Sequence, residues 1–158
     1  MLKESKAKKN ISDRELSITQ VVNAPRELVF KAWTDKKMLA KWWGPNGFTS
    51  PVCEMDARPN GKIYIDMKAP DGTVYPMGGE VHEISAPEKF VFTSAALDED
   101  NRRLFEVMNA VTLTDESGKT KLTLHIKVSK IKSPGRHHLK GMNEGWAQSI
   151  ERLINLVE

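Results

Sequence analysis

The sequence predicts an α+β fold: one curved antiparallel sheet wrapped around a long C-terminal helix, with two short helices inserted after the first strand. Three observations carry this. Apolar residues recur at every second position in a series of short runs separated by turn residues, the pattern of antiparallel strands that solvate one face. Two short amphipathic stretches interrupt that series after its first run. The last stretch, from about Arg136 to Val157, instead spaces its apolar residues three and four apart, as one face of a helix does.

Taken in order, residues 1–14 are polar and lysine-rich without periodicity, and are expected to be a disordered tail ahead of a single domain spanning 15–158. Leu16, Ile18, Gln20 and Val22 then alternate as a half-buried strand. Pro25 suits a first helical turn, where its missing N–H is no loss. Leu28, Val29, Ala32 and Trp33 form one apolar face of a helix ending near Trp33. Asp35 is placed to cap a second helix carrying Met38, Leu39, Trp42 and Trp43, which Gly44-Pro45 and Asn46-Gly47 terminate.

A meander of about six strands follows. Cys53, Met55 and Ala57 share a face, and Pro59-Asn60-Gly61 turns the chain. Ile63, Ile65 and Met67 precede a turn at Pro70-Asp71-Gly72. Tyr75, Met77, Gly79 and Val81 come next, then a turn at Ala86–Lys89 and a strand over Phe90–Thr93. Phe105, Val107, Asn109, Val111 and Leu113 line the next strand, and Leu122, Leu124, Ile126 and Val128 line its hairpin return. The final helix presents Leu139, Met142, Trp146, Ile150, Leu153 and Val157, with Gly141 and Gly145 expected to allow close approach of a neighbour.

Composition narrows the function classes. The hydrophobic fraction is 39% and the charged fraction 28%, within the globular range, and the net charge of +3 is too small to imply nucleic-acid binding. The basic run Lys127, Lys130, Lys132, Arg136 and Lys140 lacks the interleaved aromatics of a single-strand binding surface. No apolar run reaches the roughly 18 residues of a membrane span, and no secretory leader pattern follows Met1. With a lone cysteine, Cys53, the expected setting is a reducing cytoplasm. No nucleophile elbow, phosphate loop, dinucleotide fingerprint or zinc-ligand spacing occurs, so no cofactor or metal is expected. His125 falls on a polar strand face. His137 and His138 point about 100° apart on a helix, wrong for one metal. Cys53 reads as a small buried filler, and Asp56 with Arg58 as a structural ion pair or a source of turn contacts.

The inward-facing sets nominate the lining of a hollow. Trp33, Trp42, Trp43, Met55, Ile65, Met67, Tyr75, Met77, Phe92 and Phe105 come from the short helices and the sheet, and Met142 and Trp146 from the long helix. Methionine adapts to irregular spaces, which suits an apolar pocket; a solid core made of the same residues is the alternative. Asn109 interrupts an inward apolar set and must find a partner in backbone, water or ligand, since an unpaired buried amide costs about 1–3 kcal/mol. A second function class, a cyclase- or hydrolase-like enzyme, would require at least two of Tyr75, His82, Glu83 and Asn109 to converge on a cavity.

Several motifs, in order, match one known superfamily. Asn23-Ala24-Pro25-Arg26-Glu27-Leu28-Val29-Phe30-Lys31-Ala32-Trp33-Thr34 resembles its opening signature. Trp42-Trp43-Gly44-Pro45, Asp56–Gly61, Gly79–Ile84 and Gly145–Leu153 continue the match. The chain thus resembles the SRPBCC (START-like) superfamily over about residues 15–158, within the branch named for the activator of the heat-shock chaperone ATPase. The resemblance implies a helix-grip fold with a cavity between long helix and concave sheet. It also implies three functions: a carrier or sequestering protein for a small hydrophobic or aromatic molecule, a polyketide cyclase-like enzyme, or a module that contacts a heat-shock chaperone. The first is the leading expectation, with the protein acting as a monomer or homodimer.

Overall fold

Strand periodicity and turn chemistry set the architecture of the computed structural model, which describes residues 8–11, 15–131 and 138–158, with side chains described over 15–129 and 144–158. The elements in chain order are β1 (Lys8–Ile11), β2 (Glu15–Val22), α1 (Arg26–Thr34), α2 (Lys36–Trp42), β3 (Thr49–Met55), β4 (Lys62–Lys68), β5 (Val74–Ser85), β6 (Lys89–Leu97), β7 (Arg103–Glu116), β8 (Lys119–Ile131) and α3 (His138–Val157). All eight strands form one sheet in the order β1-β2-β8-β7-β6-β5-β4-β3, antiparallel throughout. From β3 to β8 the strands follow one another as a meander. β2 then adds to β8 with Leu16 opposite Ile126.

One expectation is corrected. Residues 8–11, placed in a disordered tail by their composition, form β1, which pairs with β2 from Lys8 opposite Thr19 to Ile11 opposite Leu16. The physical reason is that β2 would otherwise leave a row of backbone groups unpaired at a sheet edge. Pairing through the main chain needs no apolar side chains. The remaining tail residues lie outside those described.

The helices start and stop where local chemistry directs. Pro25 precedes α1, and its carbonyl accepts from the N–H groups of Leu28 and Val29 at 3.1 and 3.2 Å. The Asp35 carboxylate accepts from the Lys37 N–H at 3.1 Å, capping α2 as its position predicts. Gly44, at φ +104°, takes the left-handed conformation that ends the segment. α3 packs against α1, α2 and β2. The core lies between these helices and the inner face of the sheet, with Leu16, Val29, Trp33, Ile65, Phe92, Leu124 and Leu153 fully or almost fully buried. Each such side chain contributes roughly 1.5–3 kcal/mol of burial.

β5 and β6 pair with an irregular register and a close backbone approach. A register shift falls between Val81 and Glu83. At Gly79, a Cβ would stand 1.8 Å from the Thr93 carbonyl oxygen, so the two backbones approach more closely than any side chain permits. On the outer face, Arg103 donates to Glu80 at 3.0 and 2.6 Å and to Glu106 at 2.9 Å. That hydrogen bonding holds the Glu80 carboxyl below its ordinary range and pushes the Arg103 guanidinium up.

Candidate functional site

α3, the loop after α2 and the concave side of β4–β7 enclose a pocket of about 1150 Å³. Trp43, Gly44, Pro45 and Phe48 supply one wall, and Gly145, Trp146 and Ser149 of α3 another. The sheet contributes Met67, Met77, Phe105 and Val107 at the back. Val74 and Tyr75, among the most exposed large apolar residues, stand at the rim. Asp98, Glu99 and Asp100 from the β6–β7 loop complete the mouth. Among the described residues that line the pocket these three acids are the only charged groups, with no lysine, arginine or histidine.

Local packing holds the walls in place. The Trp146 ring stacks on Trp33 with centroids 6.1 Å apart and meets Trp43 edge-on at 5.3 Å. Trp42 meets Trp33 edge-on at 4.7 Å and donates from Nε1 to the Ala32 carbonyl at 2.8 Å. Such aromatic pairs add about 0.5–1.5 kcal/mol each beyond burial. Arg152 reaches from α3 to the Trp43, Gly44 and Pro45 carbonyls at 3.4, 2.8 and 3.0 Å, and to that of Lys41 at 3.1 Å. Burial lowers its pKa. Gln148 accepts from the Asn46 N–H at 2.9 Å. One helix thus fixes the whole post-α2 loop. A Cβ at Gly145 would meet Pro45 Cγ at 3.7 Å, an ordinary contact, so close approach does not require this glycine; its effect is to leave the wall open. The Gly141 side of that expectation lies outside the described residues.

The residues nominated from sequence divide into two groups. Trp43, Met67, Tyr75, Met77, Phe105 and Trp146 meet at the pocket. Trp33, Trp42, Ile65 and Phe92 are buried in the solid core beneath it, and Met55 packs half-buried on β3. The Met142 side chain lies outside the described residues. Asn109 is fully buried, and its Nδ2 donates to the Phe92 carbonyl at 3.2 Å and the Ser94 hydroxyl at 2.9 Å. Its Oδ1, like Trp33 Nε1, is buried without a hydrogen-bond partner among the described residues.

The nominated acid–base groups do not converge. Tyr75 is at the rim and Asn109 in the core. Glu83 pairs with Lys89 at 3.4 Å on the exposed side, while His82 bonds the Thr93 hydroxyl. His125 pairs with Glu15 at 2.9 Å, and Arg58 with Asp56 at 2.9 Å. Among the described residues, no three of His, Cys, Asp and Glu gather as a metal site requires.

Ser94, Ser149 and the acidic rim were not singled out from sequence. Ser94 continues the alternation of Phe90 and Phe92, and Ser149 lies three residues beyond Trp146. The periodicity therefore contained both. Polar side chains at inward positions simply carry no hydrophobic signal.

Cys53 lies away from the pocket on β3, half-buried. Burial first, then the Glu54 carboxylate, raises its thiol to about 11, with Lys36 opposing. Iodoacetamide at pH 8 is therefore expected to alkylate Cys53 on the order of a hundredfold more slowly than free cysteine. Reaction at the free-thiol rate would contradict this.

The sequence profile of the family described as "Activator of Hsp90 ATPase homolog 1-like protein" matches residues 23–158. The chain belongs to this family. Solved structures agree on the fold of this family member. A protein from Mycobacterium smegmatis is 26% identical, covers 97% of this chain and 96% of its own, and superposes with a TM-score of 0.79. A protein from Arthrobacter aurescens, 24% identical over 96% and 90% of the two chains, reaches 0.84. The AHSA1 protein from Silicibacter pomeroyi, 23% identical over 89% and 95%, reaches 0.73. These last two show the fold alone. Among curated proteins, none matches the sequence. The helix-grip architecture of the SRPBCC superfamily is thereby established for this member. None of its described helices is long and apolar enough to cross a membrane.

Proposed function

We propose that this protein binds a small hydrophobic, ring-containing molecule between α3 and the sheet, as a carrier or sequestering protein. The observation that carries the reading is the pocket of about 1150 Å³, lined mainly by aromatic, methionine and other apolar side chains. Such a concave apolar surface is the usual form of a small-molecule site, and methionines at its back adapt to different ring shapes. Trp43 and Trp146 in the walls would report occupancy through their fluorescence.

Thermal-shift and tryptophan-fluorescence screens against fatty acids and neutral polycyclic aromatics test the reading. Saturable binding is expected. A compound at a hundred times its Kd should stabilise the protein by about 2.7 kcal/mol. Filling the pocket by Ala96→Phe should weaken that binding at least tenfold while leaving the fold intact. Absence of saturable binding, or binding indifferent to Ala96→Phe, sinks the reading.

An acid–base enzyme is disfavoured by the scatter of Tyr75, His82, Glu83 and Asn109. A contact with a heat-shock chaperone has one support, the family description together with the basic residues 127–140. Lack of any salt-sensitive association with such a chaperone would remove it.

A further inference from the structure

Two of the residues lining the pocket are serines at most 7% exposed, Ser94 and Ser149, in an otherwise apolar wall. Their bonding differs in an informative way. Asn109 is fixed in orientation because the Phe92 carbonyl can only accept, so the amide nitrogen must face it. The same nitrogen then donates to Ser94 Oγ at 2.9 Å. Ser94 has thus already used its oxygen as an acceptor, and its own hydrogen is left to be donated elsewhere. Gly79, directly opposite Ser94 in the β5–β6 register, offers no side chain to receive it. Ser149 makes no hydrogen bond to any described residue. Both hydroxyls line the pocket, so each can donate to what occupies it, water in the free protein or an accepting atom of a guest.

The mouth adds a second constraint. Asp98, Glu99 and Asp100 line it without an opposing base among the described lining residues. Arg102 offsets part of that charge, at 2.8 Å from Asp100 and 4.0 Å from Asp98. Asp98 is otherwise engaged in its own loop, accepting from the Asp100 and Arg102 N–H groups at 2.8 Å each. Glu99 is exposed to solvent at the opening. A carboxylate-bearing guest would enter against this field.

We infer that the pocket selects an uncharged or cationic aromatic molecule bearing a hydrogen-bond-accepting oxygen, such as a ketone or ether, which Ser94 anchors. This rests on the ligand-binding reading above and names the chemistry of its guest. Fatty acids and other anionic amphiphiles are disfavoured, although the apolar lining alone would admit them.

Three probes on one ring system separate the claims: 1-acetylpyrene, 1-ethylpyrene and pyrene-1-carboxylate, titrated by tryptophan-to-pyrene energy transfer. The ketone is expected to bind about two- to twelvefold more tightly than the hydrocarbon of similar size, the range a neutral hydrogen bond gives. Ser94→Ala should erase that preference without weakening 1-ethylpyrene, and Ser94→Thr, which keeps a hydroxyl, should restore it. The carboxylate should bind most weakly of the three, and Glu99→Gln should narrow its deficit. Equal binding of ketone and hydrocarbon, or a preference that survives Ser94→Ala, overturns the anchor and leaves the pocket reading standing. A carboxylate that binds as well as the ketone overturns the charge selection. Failure of all three to bind saturably overturns both this inference and the pocket reading.

Discussion

Gly79→Ala is expected to destabilise the protein by roughly 3 kcal/mol or more. The added Cβ would lie 1.8 Å from the Thr93 carbonyl oxygen, which is backbone and cannot rotate away. The β5 and β6 strands would have to separate at Gly79 and Ser94, in the middle of the sheet. The neighbouring Gly78→Ala is the internal control. There the Cβ meets only Leu97 Cδ1 at 3.2 Å, the tip of a flexible side chain. Its cost should stay near or below about 1 kcal/mol. Urea unfolding of the two variants decides the point, and comparable stability of Gly79→Ala and the parent would contradict the close-approach account.

Arg152→Met is expected to lose about 2–4 kcal/mol and to weaken ligand binding as well. The guanidinium serves four carbonyls from Lys41 to Pro45, and hydrogen bonds from charged donors contribute about 1.5–3 kcal/mol each before water replaces some of them. Those carbonyls belong to the segment that builds the Trp43–Pro45 wall, so one substitution should lower both the melting temperature, by roughly 5–10 °C, and the affinity. Arg152→Lys should recover less than half of the loss, because a single ammonium cannot span a row of carbonyls as a planar fork does. Full recovery by lysine, or a methionine variant as stable as the parent, would show that charge or packing alone holds the loop.

The fold was largely legible because its signals are periodic. The period-two runs around Ile63–Met67 and Leu122–Val128, and the helical stripe from Trp146 to Val157, are hydrophobic patterns with few competing readings. β1 escaped that logic because Lys8–Ile11 joins the sheet through its main chain, which leaves no trace in side-chain chemistry. The pocket was half legible for a related reason. Inward-facing apolar residues can be read from the sequence, but whether they fill space or surround it depends on where the layers part. Trp33 and Phe92 lie where α1 and α3 close on the sheet. Trp43 and Phe105 lie where the loop after α2, α3 and the sheet leave the pocket between them. Ser94, Ser149 and Arg152 act through positions that only the assembled layers bring together.

The most direct test of the central claim, that the space between α3 and the sheet takes up a ligand, is a titration of protein labelled with 13C at the methionine methyls. Met67 and Met77 line the pocket, whereas Met38, Met55 and Met108 do not. On addition of 1-acetylpyrene the account predicts saturable shifts, large ring-current displacements among them, at Met67 and Met77, with Met38, Met55 and Met108 unmoved. Shifts spread across all five in proportion to added compound, or none at Met67 and Met77, would contradict it.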